Sequence, residues 1–231
     1  MSEPRGREKR TLRSAWNIHD SYGWVFLLLM VDIALLELLP MGTGTLIVQV
    51  VFVAATLVLA LRTSDAPKKV LRFGQIGALV AGTAAIVIAI GGSGKLLGGT
   101  YFLMALMLLI TPPVMLMRLL RHKRVTARTL IGALCVYLMI GLLYTFVFLG
   151  LGTTNGGKLF AQKDITDSGD CVYFSFITEA TVGYGDLTPV GNLPRLMAVS
   201  LGLFGQMYLV TTVARLVSLF GSETKRPPKE P

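Results

Sequence analysis

The chain has 231 residues, of which 53% are hydrophobic and only 15% charged, and its mean hydropathy is +0.64. A soluble domain of this length would not tolerate so apolar a composition, so the chain is read as resident in a bilayer. The formal charge of +9 invites a nucleic-acid role, but the cations are placed as membrane topology requires, which removes that reading.

Residues 1–21 form a polar arm holding Arg5, Arg7, Lys9, Arg10 and Arg13. Apolar runs then follow at 22–39, 45–61, 73–90, 101–120, 130–151 and 196–220. Each is near the roughly 20 residues needed to cross about 30 Å of hydrocarbon. The first is too long for a cleavable signal and has no small-residue cleavage site behind it. Trp16, Tyr22 and Trp24 beside it suit an interfacial aromatic belt. Asp32 is the costly group of that span, read as a counter-charge, a proton site or a carboxyl bonded to a neighbouring helix. Glu37, nearer the outer end, reads as interfacial. Gly74 with Gly77, and Gly202 with Gly205, read as small residues that let helices approach closely.

The fourth run, 101–120, holds Arg118 near its inner end as its one cation. A voltage sensor needs several cations at every third position, because each charge crossing the field contributes about 2.3 kcal/mol per 100 mV. Steep voltage dependence is therefore not expected. Pro112 and Pro113 predict a kink or a break in the same span. Cys135 and Cys171 fit no disulfide framework or metal pattern and read as small buried hydrophobes. No fixed-period repeat is present.

Eighteen of the 22 Lys and Arg residues fall in the amino-terminal arm, the second-to-third and fourth-to-fifth connections, and the last helix end with its tail. Lys95, Lys158, Lys163 and Arg195 remain for the other side. This is the positive-inside pattern, with both termini cytoplasmic and an even number of crossings. The expected organisation is an arm (1–21), a four-helix peripheral unit (22–120), a cytoplasmic linker (121–129), a pore unit (130–220) and a cytoplasmic tail (221–231). That tail is read as too short for a ligand-binding regulatory domain.

Between the last two spans the pattern changes. A polar outer loop, 152–170, carries Asp164, Asp167 and Asp170 against Lys158 and Lys163, a solvated loop or a negative vestibule that concentrates cations. Ser168 or Asp170 can cap a short apolar piece, 171–180, whose ten residues rise only about 15 Å, half a membrane. It reads as a re-entrant helix whose carboxyl end, carrying roughly half a negative charge, favours a cation at the membrane centre. The chain then continues as Thr181-Val182-Gly183-Tyr184-Gly185-Asp186. A dehydrated cation needs backbone carbonyls turned toward one axis, whereas an ordinary strand points them alternately to either side. Aligning them demands backbone angles unfavourable to residues with a Cβ at alternate positions, and Gly183 and Gly185 stand at such positions.

TVGYGD, with Tyr173 through Ala180 before it and Leu187-Thr188-Pro189 after it, resembles the pore signature of tetrameric bacterial potassium channels. The six spans resemble small actinobacterial six-transmembrane channels, by layout more than by motif in the first four. The resemblance implies an all-α membrane protein: six transmembrane helices, a re-entrant pore helix and filter loop between helices five and six, and a tetrameric pore. It implies potassium bound at Thr181, Val182, Gly183 and Tyr184 along a filter of Thr181–Gly185, with no other cofactor. Gly205 falls on the family's gating-hinge glycine and Arg195 on a basic residue opening the inner helix. The simplest bacterial channels carry a Glu behind the filter where Ile177 stands here, so Asp186 needs another partner, Tyr173 or the backbone near Phe174. Glu179, two residues before the filter, reads as a hydrogen-bonded buried acid or as a proton-sensitive brace on the filter.

The implied function is passive potassium conduction across the plasma membrane by a homotetramer in contact with lipid. Potassium transporter subunits descended from channels are an alternative, but they carry four degraded pore repeats in one chain, whereas this chain has one intact filter. A non-conducting sensor or accessory membrane protein is the other. No enzyme is indicated, since the two histidines, His19 and His122, sit in basic segments with no nucleophile–base arrangement.

Overall fold

The computed structural model describes residues 22–40, 42–64, 66–91, 94–121 and 126–223. Trp16, His19, His122 and the arginines and lysines of the arm and tail lie outside them. Seven helices are found among the described residues: α1 (Tyr22–Leu38), α2 (Thr43–Thr63), α3 (Lys68–Ala89), α4 (Gly94–Arg121), α5 (Ala127–Thr154), α6 (Ser168–Glu179) and α7 (Asn192–Glu223). There is no strand among those residues, only an isolated bridge between Phe160 and Pro189. The protein is an all-α, multi-pass membrane protein. Five helices, α2 to α5 and α7, are long and apolar enough to cross a bilayer. The described part of α1 has 17 residues, about 25 Å at 1.5 Å per residue.

Except for α1, the helices are longer than the apolar runs, and at α5 a cap marks the added turn. Thr126 starts α5 by accepting from the Thr129 amide (3.4 Å), while the Thr126 amide donates to Thr129 Oγ1 (2.8 Å). This reciprocal box satisfies two amides that the first turn leaves without helical partners. In α4 the helix runs through Pro112 and Pro113 without ending. The prolines remove two ladder donors, and Thr111 Oγ1 donates to the Met107 carbonyl one turn back. A helix buried among neighbours keeps its path when packing outweighs two lost bonds.

The helices α1 to α4 form one bundle that packs on α5 of the same chain, mainly through α4, and α1 also reaches α6. Gly74 admits Leu57 of α2, whose methyl would lie 2.6 Å from an added Cβ, and Gly77 admits Met107 of α4 at 3.1 Å. Those two glycines act as packing positions. Gly202 has nothing within 4 Å, so its lack of a side chain is not used inside the protomer. Cys135 and Cys171 are free thiols and fully buried, as small hydrophobes.

The acid of the first span has a neighbour. Asp32 is buried, and Thr56 Oγ1 of α2 donates to its Oδ2 at 2.7 Å. Of the three roles read from sequence, the bonded carboxyl is the one whose geometry is present. Glu37 is exposed. Arg118 of α4 donates through Nη1 to the Thr63 carbonyl at the end of α2. That carbonyl is one of the last-turn acceptors without a helical donor, and a cation there also meets the negative end of the helix dipole. The single cation of the fourth span is thus tied into a helix terminus.

Candidate functional site

Everything around TVGYGD is arranged by α6. The cap of this helix differs from both expectations: Asp167 is the N-cap, accepting from the Asp170 amide (2.8 Å), and Asp170 Oδ2 accepts from the Asp167 amide (3.2 Å). Ser168 is therefore the first helical residue and Asp170 the reciprocal partner of a capping box. Lys163 bridges the pair, bonding Asp170 and lying 3.9 Å from Asp167. Its hydrogen bond to Asp170, with the charge of both acids, holds the Lys163 ammonium above its usual range. Lys158 lies 3.4 Å from Asp164. The acids of the loop are largely engaged with its own lysines, which reduces the vestibule field that a bare count suggests.

The loop 152–170 is also less solvated than its composition predicts. Leu159, Phe160 and Thr166 are buried. Phe174 of α6 lies edge-on between Phe148 of α5 (centroids 5.1 Å) and Phe160 (5.0 Å). The loop then pairs with the segment after TVGYGD: the Ala161 amide donates to the Thr188 carbonyl, and the Val190 amide to the Leu159 carbonyl, both at 2.9 Å. The Gln162 side chain donates to Thr188 Oγ1 and accepts from the Thr188 amide, again at 2.9 Å. Arg195 Nε donates to the Pro189 carbonyl at 3.1 Å. Phe160 and Gln162 thus hold the outer end of TVGYGD, a role that no local sequence signal announced.

At the inner end α6 stops at Glu179, and the chain turns back. Thr181 has φ +58°, Gly183 +54° and Gly185 +81°. The left-handed positions alternate as anticipated, but they begin one step earlier, at a threonine that pays roughly 1–2 kcal/mol for the conformation. Such strain persists only where the surroundings over-determine it. Two bonds provide that constraint, since the amides of Val182 (2.9 Å) and Gly183 (3.3 Å) both donate to the Ile177 carbonyl. In a trans peptide the N–H and the preceding C=O point in opposite directions. The carbonyls of Thr181 and Val182 therefore face away from α6, toward the open side of the loop. Ile177, aliphatic where simpler channels have an acid, contributes through its backbone oxygen.

Asp186 finds its partner in the Tyr173 hydroxyl, which donates to Oδ2 at 2.7 Å, the first of the two partners considered. Glu179 is fully buried, and among the described residues neither carboxyl oxygen has a hydrogen-bond partner. It is not the hydrogen-bonded acid that one reading expected. Gly205 is buried in mid-α7 against it, within an uninterrupted helix. Val182 and Tyr184 are 50% and 73% exposed, and α7 exposes Leu196, Val199, Leu203, Met207 and Val210 along its length.

The loop thus holds two successive amides toward α6 and presents the matching carbonyl oxygens on its open side. Residues 133–222 match the family model described as Ion channel. The match takes in most of α5 and all of α6, the loop and nearly all of α7, so the carboxyl-terminal part of the chain is similar to an ion-channel domain. No curated protein matches the chain.

Proposed function

We propose that the protein is a potassium-selective channel, built from four copies, that conducts passively across the plasma membrane. The observation that carries this reading is the alternation of left-handed backbone at Thr181, Gly183 and Gly185 with the amides of Val182 and Gly183 held behind the loop. Thr181, Val182, Gly183 and Tyr184 then offer oxygens to dehydrated potassium, and Gly185 completes the filter. One loop cannot surround an ion, and the exposed apolar side of α7, with Val182 and Tyr184, is the surface three further copies would cover. Tyr173, Asp186, Ile177 and Glu179 support the filter, and Gly205 is where α7 would bend if it bends.

Reconstitution in planar bilayers tests the reading. Reversal potentials should place potassium and rubidium far above sodium in permeability; comparable sodium and potassium values would sink it. The same recordings test gating. With Arg118 tied to Thr63, each subunit moves less than about one charge, so 100 mV contributes at most about 2.3 kcal/mol per subunit and the conductance–voltage curve is shallow. A curve equivalent to several charges per subunit would contradict that expectation.

Six crossings with cytoplasmic termini put the loop 152–170 outside. The native thiols at Cys135 and Cys171 are buried, so an Asn155→Cys variant offers one accessible thiol among the described residues. A membrane-impermeant maleimide should label it from the outer side of oriented vesicles. Labelling from the inner side alone would reverse the topology.

A further inference from the structure

We infer that Glu179 is a positioning wedge between the filter and the two long helices behind it, and that Gly141 and Gly205 are glycine to receive it. The inference rests on reading 181–185 as an ion filter. A Cβ on Gly141 of α5 would lie 2.5 Å from Glu179 Oε2 and 2.5 Å from the Phe176 ring. A Cβ on Gly205 of α7 would lie 2.8 Å from Glu179 Cγ and 3.1 Å from the Glu179 carbonyl oxygen. Two helices therefore close on one side chain at distances that only glycine permits. Neither glycine has positive φ, so conformational freedom does not account for them, whereas contact does.

The carboxyl makes no hydrogen bond among the described residues, and burying such a group costs free energy that an apolar side chain would not. Tyr137 of α5 and Tyr208 of α7 are the titratable groups facing it, and the Tyr208 hydroxyl is engaged with the Ala133 carbonyl at 2.7 Å. What the position does achieve is steric. It fixes the separation of α5, α6 and α7 at the point where α6 ends, two residues before Thr181. The Ile177 carbonyl that anchors the Val182 and Gly183 amides lies two residues the other way. A displacement of α7 at Gly205 must therefore push on Glu179 and, through it, on the inner end of the filter.

The test compares wild-type protein with G205A, E179A, E179Q and the double variant E179A/G205A. Each is measured for thermal midpoint in detergent and for potassium flux in liposomes. Residues in contact are strongly non-additive, so G205A should lose on the order of tenfold in flux and the double variant should regain most of it, because Cγ is gone. E179Q, with nearly the same shape, should recover what E179A loses. A double variant no better than G205A, or E179Q as impaired as E179A, would overturn the wedge. Wild-type protein that passes no potassium while the midpoints still show the coupling would refute the filter reading and leave the wedge standing.

Discussion

In the potassium channel proposed above, replacing Gly183 with alanine should abolish selective flux, and replacing Gly185 should do the same with a larger loss of stability. Both residues hold left-handed backbone, at φ +54° and +81°, and Gly185 is further from the region near +57° that other residues can tolerate. The strain is roughly 1–3 kcal/mol for each copy, repeated around the axis in a tetramer. The chain can relieve it by rotating the peptide, but that turns an N–H toward the ion in place of a carbonyl oxygen. The relief itself destroys the site. Thr181 already spends one such strain at the inner end, so little remains to absorb another. Liposome flux with potassium and then sodium as the permeant ion checks this. G183A protein that still discriminates between them as wild type does would show that the alternation of backbone is not what selects.

How much of this was legible before the structure depends on the kind of signal. The five long helices α2 to α5 and α7 could be read because apolar runs of bilayer length leave few alternatives, although caps such as Thr126 moved their ends. Gly183 and Gly185 announce their backbone through composition, whereas Thr181 does not, since threonine normally avoids positive φ. Tyr173 was one of two partners for Asp186 that the resemblance to bacterial channels left open, and the bond to its hydroxyl is the one present. The pairing of Phe160 and Gln162 with Pro189 and Thr188 joins segments more than twenty-five residues apart without periodicity, so a polar composition hid a buried anchor. The cap at Asp167 was missed by one position because three consecutive polar residues offer equivalent side chains, and only helix geometry decides. Gly141 carried no signal, because its reason for being glycine is a glutamate 38 positions later in the chain.

Phe174→Ala should be the most destabilising single truncation in the pore unit. Phe174 is 5% exposed and joins three elements: its own α6, Phe148 of α5 and Phe160 of the outer loop, at interplanar angles of 75° and 60°. Removing a buried phenyl ring typically costs about 3–5 kcal/mol, because the cavity collapses only in part. Edge-to-face partners add about 0.5–1.5 kcal/mol each beyond buried area. A domain whose whole stability is roughly 5–15 kcal/mol cannot absorb that loss unnoticed. The functional consequence follows from what the ring holds. With Phe160 unpinned, the Leu159 and Ala161 backbone bonds to Val190 and Thr188 loosen, and these hold the segment that follows TVGYGD, the proposed filter. The F174A protein should therefore show a large drop in thermal midpoint, less assembled oligomer and flux near background. F174L, which fills part of the space, should fall between F174A and wild type in all three. Trp24→Ala, at a ring 43% exposed on α1, serves as the control and should stay near wild type. An F174A midpoint within error of the wild-type value would mean that the aromatic joint does not hold the filter in place.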